Sequence, residues 1–362
     1  MSRPDSPSTD DLGTRERAAR LHAEALIIDG QGTAAVLPTA LVPPPPRQGQ
    51  PFLDRALGSG LRAMNVTLGI LGVGMGVDSF RAMLTTMHGY FCYFELERAR
   101  LLHVLTADDL LRAKREGRLG IIFGCQGLAS KIEDDPNLLR ILHRLGLRIA
   151  QLTYNERSSL GCGCLETSDT GLTQLGRVCV REMNHLGLLI DLAHAGQRTG
   201  LDVLDLSADP VIVSHANVHA LCDNPRNLTD KQIRALAARD GVVGITAYSP
   251  FCETKPGVRP TIQDVVDHIA YVANLVGVDH VGIGSDFFEG ESEVRFERFF
   301  RVRYPEVIAQ YTLETVYAEG FDGVACFPRL TEALVRRGFT DDDIRKILGE
   351  NFLRVFRQVW KT

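Results

Sequence analysis

The sequence predicts an α/β fold, and within that class a closed (β/α)8 TIM-like barrel. Eight apolar runs of strand length carry Ile, Val or Leu on both faces, as strands of a parallel sheet covered on both sides do. Helical patterns lie between them, which indicates βα units joined by right-handed crossovers. A doubly wound open sheet remains the alternative. The runs span residues 25–32, 61–68, 119–127, 149–155, 188–194, 210–216, 241–248 and 280–287.

The helical patterns and two long inserts complete the predicted layout. Helices are predicted over 172–185, 229–239, 261–276 and 341–359. The second of these begins with Thr229 and Asp230, a favourable N-cap. Residues 1–24 are expected to form a polar lead and a helix, and 25–362 a single barrel domain. Inserts at about 36–60 and 289–327 are expected on the active-site face, and the proline-rich part, 36–51, as an extended loop.

Length and charge restrict the classes of protein to consider. The chain has 362 residues, enough for one large barrel, and its formal net charge is −5. Without a basic stripe, nucleic acid is not expected as a partner. A polar N-terminus and the absence of long apolar runs predict neither a signal peptide nor a membrane span, so a cytoplasmic protein is expected. The eight cysteines are expected to be free thiols.

Two histidines mark the predicted site. The segments 190–194 (Ile-Asp-Leu-Ala-His) and 211–215 (Val-Ile-Val-Ser-His) are apolar runs that end in His194 and His215. A barrel places its active site at the carboxyl ends of its strands, so these side chains are expected at that face. Imidazole is a good ligand for zinc and similar divalent ions. The pair therefore predicts a metal site.

Four further residues are candidates for the chemistry. Asp286 ends a strand run, where a carboxylate can bind metal or act as a general base. Arg226 follows the strand of His215, and its fork suits a substrate carboxylate. Tyr154 and Tyr248 end two other strands, and each is expected either to donate its hydroxyl to the substrate or to form a pocket wall.

At these residues the chain resembles the renal (membrane) dipeptidase family, peptidase family M19, among the metal-dependent amidohydrolase barrels. The resemblance extends from about residue 25 to the C-terminal helix and is densest over 171–248, with a further match over 282–287 (Gly-Ile-Gly-Ser-Asp-Phe). The family hydrolyses dipeptides through a two-zinc site. The resemblance implies that His194 and His215 bind the second zinc, that Asp286 handles the proton and that Arg226 binds the substrate carboxylate.

The positions that match the other family ligands carry different residues. The family's Asp-Gly-His-x-Asp segment corresponds to 29–33, where Gln31 and Thr33 replace the His and the second Asp. Gln126 replaces the bridging glutamate, and Tyr154 replaces a histidine that steadies the tetrahedral intermediate. Two carboxylates and one imidazole are thus absent from the metal-lining positions, and metal affinity depends on ligand type and charge.

A two-metal site is therefore not expected, and one zinc or other divalent ion remains the cofactor to consider. His194 and His215 would hold it, with Asp286 or Gln126 as a further ligand. Tyr154 could replace the lost imidazole as a donor to an oxyanion.

Three functions follow from this site. The first is a mononuclear metallohydrolase acting on a dipeptide or another small carboxylate-bearing amide. The second is a metal-independent tailoring enzyme, of isomerase or lyase type, acting on a peptide-derived small molecule. The third is a non-catalytic relative. The sequence favours the first, with a small molecule as the partner, no membrane, and a homodimer as the assembly that the resemblance suggests.

Overall fold

The computed structural model describes residues 9–33, 51–69, 79–288, 293–297, 301–305 and 310–361. The strands are β1 Ile27–Asp29, β2 Gly32–Thr33, β3 Leu61–Leu68, β4 Leu101–Val104, β5 Leu119–Cys125, β6 Leu147–Gln151, β7 Leu189–Asp191, β8 Ile212–Ala216, β9 Val242–Ile245, β10 Val281–Ile283 and β11 Phe287–Phe288.

The helices alternate with these strands. They are α1 Thr9–Glu24, α2 Pro51–Gly58, α3 Phe80–Leu96, α4 Ala107–Glu116, α5 Leu128–Ile132, α6 Asn137–Arg144, α7 Gln174–Leu186, α8 Gln197–Leu206, α9 Asp230–Ala237, α10 Ser249–Cys252, α11 Ile262–Val276, α12 Glu293–Phe296, α13 Phe327–Arg337, α14 Asp341–Arg345 and α15 Asn351–Val359. Val278–His280 and Val324–Cys326 are 3₁₀ turns, and Lys346–Glu350 is a π turn.

Eight parallel strands close into a ring, so the predicted barrel is confirmed and the open doubly wound sheet is wrong. The order is β1-β3-β5-β6-β7-β8-β9-β10, and β10 pairs again with β1 where Ile283 lies opposite Asp29. The helices cover the outside, and strand side chains from both faces are buried, as the continuous apolar runs require. The carboxyl ends of all eight strands therefore meet at one face.

One strand, β4, has no counterpart among the predicted runs, and the first barrel strand is shorter than predicted. β4 pairs with the first half of β5, outside the ring, and its four residues are too short a run to identify from the sequence. The predicted first strand, 25–32, is interrupted because the Asp29 carboxylate accepts the amide of Gln31 and turns the chain. β2 then pairs with β11 above the barrel, so the ends of the first and eighth barrel strands are tied together at the active-site face.

Two of the predicted helices show one success and one error. Helix α9 begins, as predicted, after Thr229, whose side chain accepts the amide of Gln232 in a capping box. The segment 341–359 is not one helix, because the π turn interrupts it at Gly349. A Cβ on Gly349 would lie 2.1 Å from the backbone oxygen of Leu26, so the close approach of this turn to the start of β1 requires glycine.

The two inserts are described in part. Residues 34–50, most of the predicted extended loop, lie outside the described residues, whereas Pro51 begins α2 instead of continuing a loop, a position at which proline is favoured. In the second insert the Tyr317 hydroxyl donates to the backbone oxygen of Asp286 (2.8 Å), which fastens the insert to the site. All eight cysteines are free, as expected. None of the described helices is both long and apolar enough to span a membrane.

Candidate active site

A pocket opens at the carboxyl ends of the barrel strands and collects most of the predicted site residues. We call it the mouth pocket; its volume is about 30 Å³. Its predicted members are Gln126, Tyr154, His194, Arg226, Tyr248 and Asp286. His215 is buried next to His194. Sequence reasoning missed Asn155, Phe251, Phe288 and Tyr304, which also line the pocket. Asn155 directly follows a predicted residue, but the other three come from segments whose direction the sequence does not show.

The two histidines meet ring to ring. The Nε2 atoms of His194 and His215 are 3.0 Å apart. His194 Nδ1 lies 2.6 Å from Asn155 Oδ1, an acceptor, so Nδ1 carries the proton. His215 Nδ1 lies 2.8 Å from Ser214 Oγ, whose own proton goes to Asp191 Oδ2 (2.5 Å), so this Nδ1 is also the donor. Both Nε2 atoms therefore present lone pairs to each other.

Two lone pairs that face each other repel, so a proton or a metal cation is needed between the two nitrogens. Burial and the nearby positive charge of Arg226 hold the pKa of both His194 and His215 well below the usual value, so a shared proton is disfavoured. Zinc binds imidazole nitrogen at about 2.0–2.1 Å, so one ion can contact two nitrogens at this separation. The other ring nitrogen of each histidine is held by a hydrogen bond, the usual arrangement around metal-binding imidazoles.

Few further metal-ligating side chains surround the two histidines among the described residues. Within the described part of the chain, no three His, Cys, Asp or Glu side chains are grouped so that they could hold a metal. Gln31, at a lost ligand position, donates from Nε2 to Thr67 Oγ1 (2.7 Å) and accepts from Asn65 (3.2 Å), so it links β1 to β3. Thr33 ends β2 opposite Phe288. Further ligands from Gln126 or Asp286 remain a proposal.

Two buried aspartates position the residues that follow the strands. Asp191 ends β7 and accepts both the amide (2.8 Å) and the hydroxyl (2.5 Å) of Ser214, the residue before His215. Asp29 ends β1 and accepts both the amide (2.8 Å) and the hydroxyl (2.5 Å) of Ser285, the residue before Asp286. Burial raises the pKa of both carboxyls, that of Asp29 to about 7. Sequence reasoning gave neither aspartate a role.

Two site residues have a positive φ, which is unusual for residues other than glycine. His194 has φ 66° and Asp286 has φ 58°, both in the left-handed region. Such conformations cost of order 1 kcal/mol or more and persist where the surroundings impose them. Here the aspartate contacts beside each residue hold the turn, which directs both side chains into the mouth pocket.

The Asp286 carboxyl is buried, and few groups around it offset the cost of removing it from water. Its backbone amide donates to the backbone oxygen of Gln31 (2.7 Å), which keeps this strand end against β1 and β2. Its side-chain Oδ1, however, has no hydrogen-bond partner among the described residues. Burial raises the pKa of Asp286 to about 8, although Arg226 lowers it and Asp29 adds a smaller upward effect. The carboxyl can therefore take up and release a proton near neutral pH.

Arg226 is a buried cation that forms no ion pair with any of the described residues. The residue is only 3% exposed, and its guanidinium lies over the ring of Phe251, 5.0 Å from the centroid. Nη2 donates to the backbone oxygen of His215 (3.1 Å), while Nε has no hydrogen-bond partner in the described part of the chain. A buried guanidinium is costly unless an anion pairs with it, so a substrate carboxylate fits this position.

Aromatic rings form the walls of the pocket. The ring of Tyr154 stacks on His194 with the centroids 4.2 Å apart. The ring centroid of Tyr304, from the second insert, lies 6.3 Å from that of Tyr154. The Tyr304 hydroxyl donates a hydrogen bond to the Glu156 carboxylate (2.8 Å). Tyr248 packs between other rings, and burial raises its pKa well above the usual value, so its phenol stays protonated. These contacts favour a wall for both predicted tyrosines.

The family follows from a match along almost the entire chain. A model of the membrane dipeptidase family, peptidase family M19, matches residues 15–312 and 310–362. The chain belongs to peptidase family M19. Among similar proteins of this kind are dipeptidase tcpJ of Claviceps purpurea, 32% identical over 267 residues, and dipeptidase verJ of Clonostachys rogersoniana, 31% identical over 285 residues. These matches cover 73% and 78% of this chain but only 57% and 66% of the relatives.

Solved structures show the same fold. An amidohydrolase from Pseudomonas aeruginosa is 32% identical, with a TM-score of 0.81, and the match covers 95% of this chain and 99% of that one. A metallo peptidase from Rhodobacter sphaeroides, solved with a phosphinate mimic of the dipeptide L-Ala-D-Ala, is 20% identical with a TM-score of 0.74, covering 92% and 99%. The second likeness supports the fold alone.

Asn155 is expected to act as a positioning residue for His194. Asn155→Ala removes the acceptor of His194 Nδ1, which frees the ring to turn and to change tautomer. We expect metal affinity to fall by about 10–100-fold, measured by competition with a chromogenic chelator. Cys164→Ala is the matched control, since Cys164 Sγ donates to the same Asn155 oxygen (3.5 Å) without being hydrogen-bonded to His194. Equal losses in the two variants would contradict the positioning role.

Proposed function

We propose that this protein is a metal-assisted hydrolase that cleaves the amide bond of a dipeptide or another small amide with a free carboxylate. One divalent cation, on His194 and His215, would serve the reaction. The observation that carries the proposal is the 3.0 Å separation of the Nε2 atoms of His194 and His215, two buried imidazoles that are each held at Nδ1 by a hydrogen bond. Membership of the M19 family and the two dipeptidase relatives support the same reaction class.

The residues of the chain divide the work of such a reaction. A bound zinc supplies a Lewis acid and lowers the pKa of water. Arg226 holds the substrate carboxylate, which fixes the amide relative to the histidines. Asp286, with its pKa raised to about 8, accepts a proton from the attacking water and returns it to the leaving amine. Water thus adds across the C–N bond, and a carboxylic acid and an amine are released.

A metal-independent reaction is the second candidate. Neutral Gln31 and Gln126 stand where the resemblance implies metal ligands, and Gln31 is held by its own hydrogen bonds. Asp286 could then act as an acid or base on a peptide-derived molecule that Arg226 binds. Turnover that persists in a chelator would favour this candidate.

A non-catalytic relative is the least supported candidate. Among the described residues, Arg226 Nε and Asp286 Oδ1 are both buried without a hydrogen-bond partner. Buried charged groups that lack full compensation destabilise a protein, so a chain that makes no use of them would gain by losing them.

Metal content separates these candidates. Protein purified without added metal is expected to contain about one equivalent of a divalent ion by mass spectrometry, which the His194→Ala/His215→Ala variant loses. His185→Ala, at an exposed histidine, is the control and should retain the ion. No metal in the wild-type protein, even after incubation with zinc, would overturn the metallohydrolase proposal. About two equivalents would overturn the single-ion site.

A further inference from the structure

Tyr317, a buried residue of the second insert, contacts the strand end that carries Asp286. Its hydroxyl donates to the backbone oxygen of Asp286 (2.8 Å) and accepts the backbone amide of Phe288 (2.6 Å). A single hydroxyl thus bridges the first and third residues of the turn 286–288. Tyr317 does not line the mouth pocket, and the proposed reaction gives it no role. Its influence on that reaction must pass through these two hydrogen bonds.

The position of this hydroxyl is fixed by the way Tyr317 is held. The residues before and after it form backbone hydrogen bonds (2.8 and 2.9 Å) with the segment 247–249, which follows β9. The Tyr317 ring packs edge-on against the rings of Tyr248 and Phe287, with the centroids 5.8 and 5.1 Å apart. Edge-to-face contacts stabilise aromatic pairs beyond the area that they bury. The phenol is therefore anchored to the barrel at the end of β9, the strand next to β10.

Asp286 depends on such a contact because its backbone is left-handed, with φ 58°. A residue with a side chain is strained in this region, so its surroundings must hold it there. The Asp286 amide donates to the backbone oxygen of Gln31 (2.7 Å), and its carbonyl accepts the Tyr317 hydroxyl. His194, also left-handed, differs because its carbonyl accepts the backbone amide of Cys164 (2.9 Å). Loss of the phenol hydroxyl would therefore release the carbonyl of Asp286 and leave that of His194 held.

We propose that Tyr317 is a positioning residue, whose hydroxyl holds Asp286 in the conformation that directs its carboxyl into the mouth pocket. This inference rests on the proposed function for the part that Asp286 takes in proton transfer. Without the hydroxyl, the turn relaxes toward commoner backbone conformations, and the carboxyl moves away from the attacking water. Arg226 and the two histidines are held by other contacts, so the loss affects proton transfer and not the binding of substrate or metal.

Tyr317→Phe removes one oxygen atom and keeps the ring, so the aromatic packing and the fold are retained. We expect kcat for a dipeptide to fall by about 10–100-fold, because small displacements of a reacting group are costly, while KM and metal content stay unchanged. Tyr311→Phe is the matched control. Tyr311 belongs to the same insert, and its hydroxyl donates to Glu253 (2.6 Å), which does not line the mouth pocket. This variant should keep the wild-type kcat.

Hydrogen exchange tests the contact without any turnover. The Phe288 amide is protected by its hydrogen bond to the Tyr317 hydroxyl. In Tyr317→Phe, NMR should show this amide exchanging about 2–10-fold faster than in the wild-type protein, as the loss of one hydrogen bond predicts. Tyr311→Phe should leave the exchange rate unchanged.

The outcomes separate the two proposals. Unchanged exchange of the Phe288 amide in Tyr317→Phe overturns the positioning role, and so does a kcat equal to that of Tyr311→Phe. A rise in KM or a loss of metal as large as the fall in kcat also overturns it, since the phenol would then act on binding. If the wild-type protein hydrolyses no dipeptide, it is the proposed function that fails, whereas faster exchange in Tyr317→Phe still shows that the hydroxyl holds the turn.

Discussion

Asp286→Asn is expected to lower kcat/KM for a dipeptide by about 10²–10⁴-fold, because the variant cannot exchange a proton with the attacking water and the leaving amine. The rate of the wild-type enzyme is expected to rise with pH as the Asp286 carboxyl becomes a base, with a midpoint below the value of about 8 that burial produces in the metal-free protein, because a bound cation lowers this pKa. Steady-state rates on both sides of that pKa would check both expectations. A variant that retains wild-type rates would exclude Asp286 as the group that carries the proton.

The same substitution should stabilise the fold at high pH. The folded-state pKa of Asp286 is raised from 3.8 to about 8, so the folded protein binds this proton more tightly than the unfolded chain does. Its contribution to stability is complete below about pH 4 and is lost as the pH rises through 8, at up to about 1.4 kcal/mol for each pH unit. Asparagine remains uncharged, so the variant escapes this loss.

Chemical denaturation of chelator-treated protein at about pH 5 and about pH 9 would measure this difference. The unfolding free energy of the wild-type protein should fall more between the two pH values than that of Asp286→Asn. Asp205→Asn, at an exposed residue of α8, is the control and should follow the wild-type protein. Parallel pH dependence in the wild-type protein and Asp286→Asn would show that burial does not raise the pKa of Asp286.

Arg226→Gln is expected to remove the preference for substrates with a free carboxylate. The substitution keeps a polar side chain but removes the charge and the fork, so KM should rise more than kcat falls. Loss of one member of a buried charge pair costs about 2–5 kcal/mol, which corresponds to a loss of at least about 30-fold in kcat/KM.

A comparison with an amidated dipeptide isolates the contact with the carboxylate. The wild-type enzyme should discriminate strongly between the free and the amidated dipeptide, and Arg226→Gln should treat both alike. Arg198→Gln removes an exposed charge that pairs with Asp202 and serves as the control for net charge. A variant that still prefers the free carboxylate would show that another group binds it.

The sequence predicted those site residues that stand at the ends of apolar, strand-length runs. A histidine or an acid at the end of an apolar run lies at the barrel mouth wherever the run is a barrel strand, and His194, His215 and Asp286 followed from that rule. Asn155 and Tyr304 did not, since an amide or a phenol in a loop carries no periodic signal. β4 was missed for a related reason, because four residues are too few to show a period.

By itself, the sequence determined the barrel, because eight apolar runs separated by helices leave few ways to bury both faces of a parallel sheet. Only the tertiary structure decided that two imidazoles meet at 3.0 Å, that Asp29 holds Ser285 across 256 positions of the chain, and that the guanidinium of Arg226 lies over the ring of Phe251. Those contacts depend on the register between strands and on the paths of loops. Neither leaves a local pattern, since each is set by residues that are far apart in the chain.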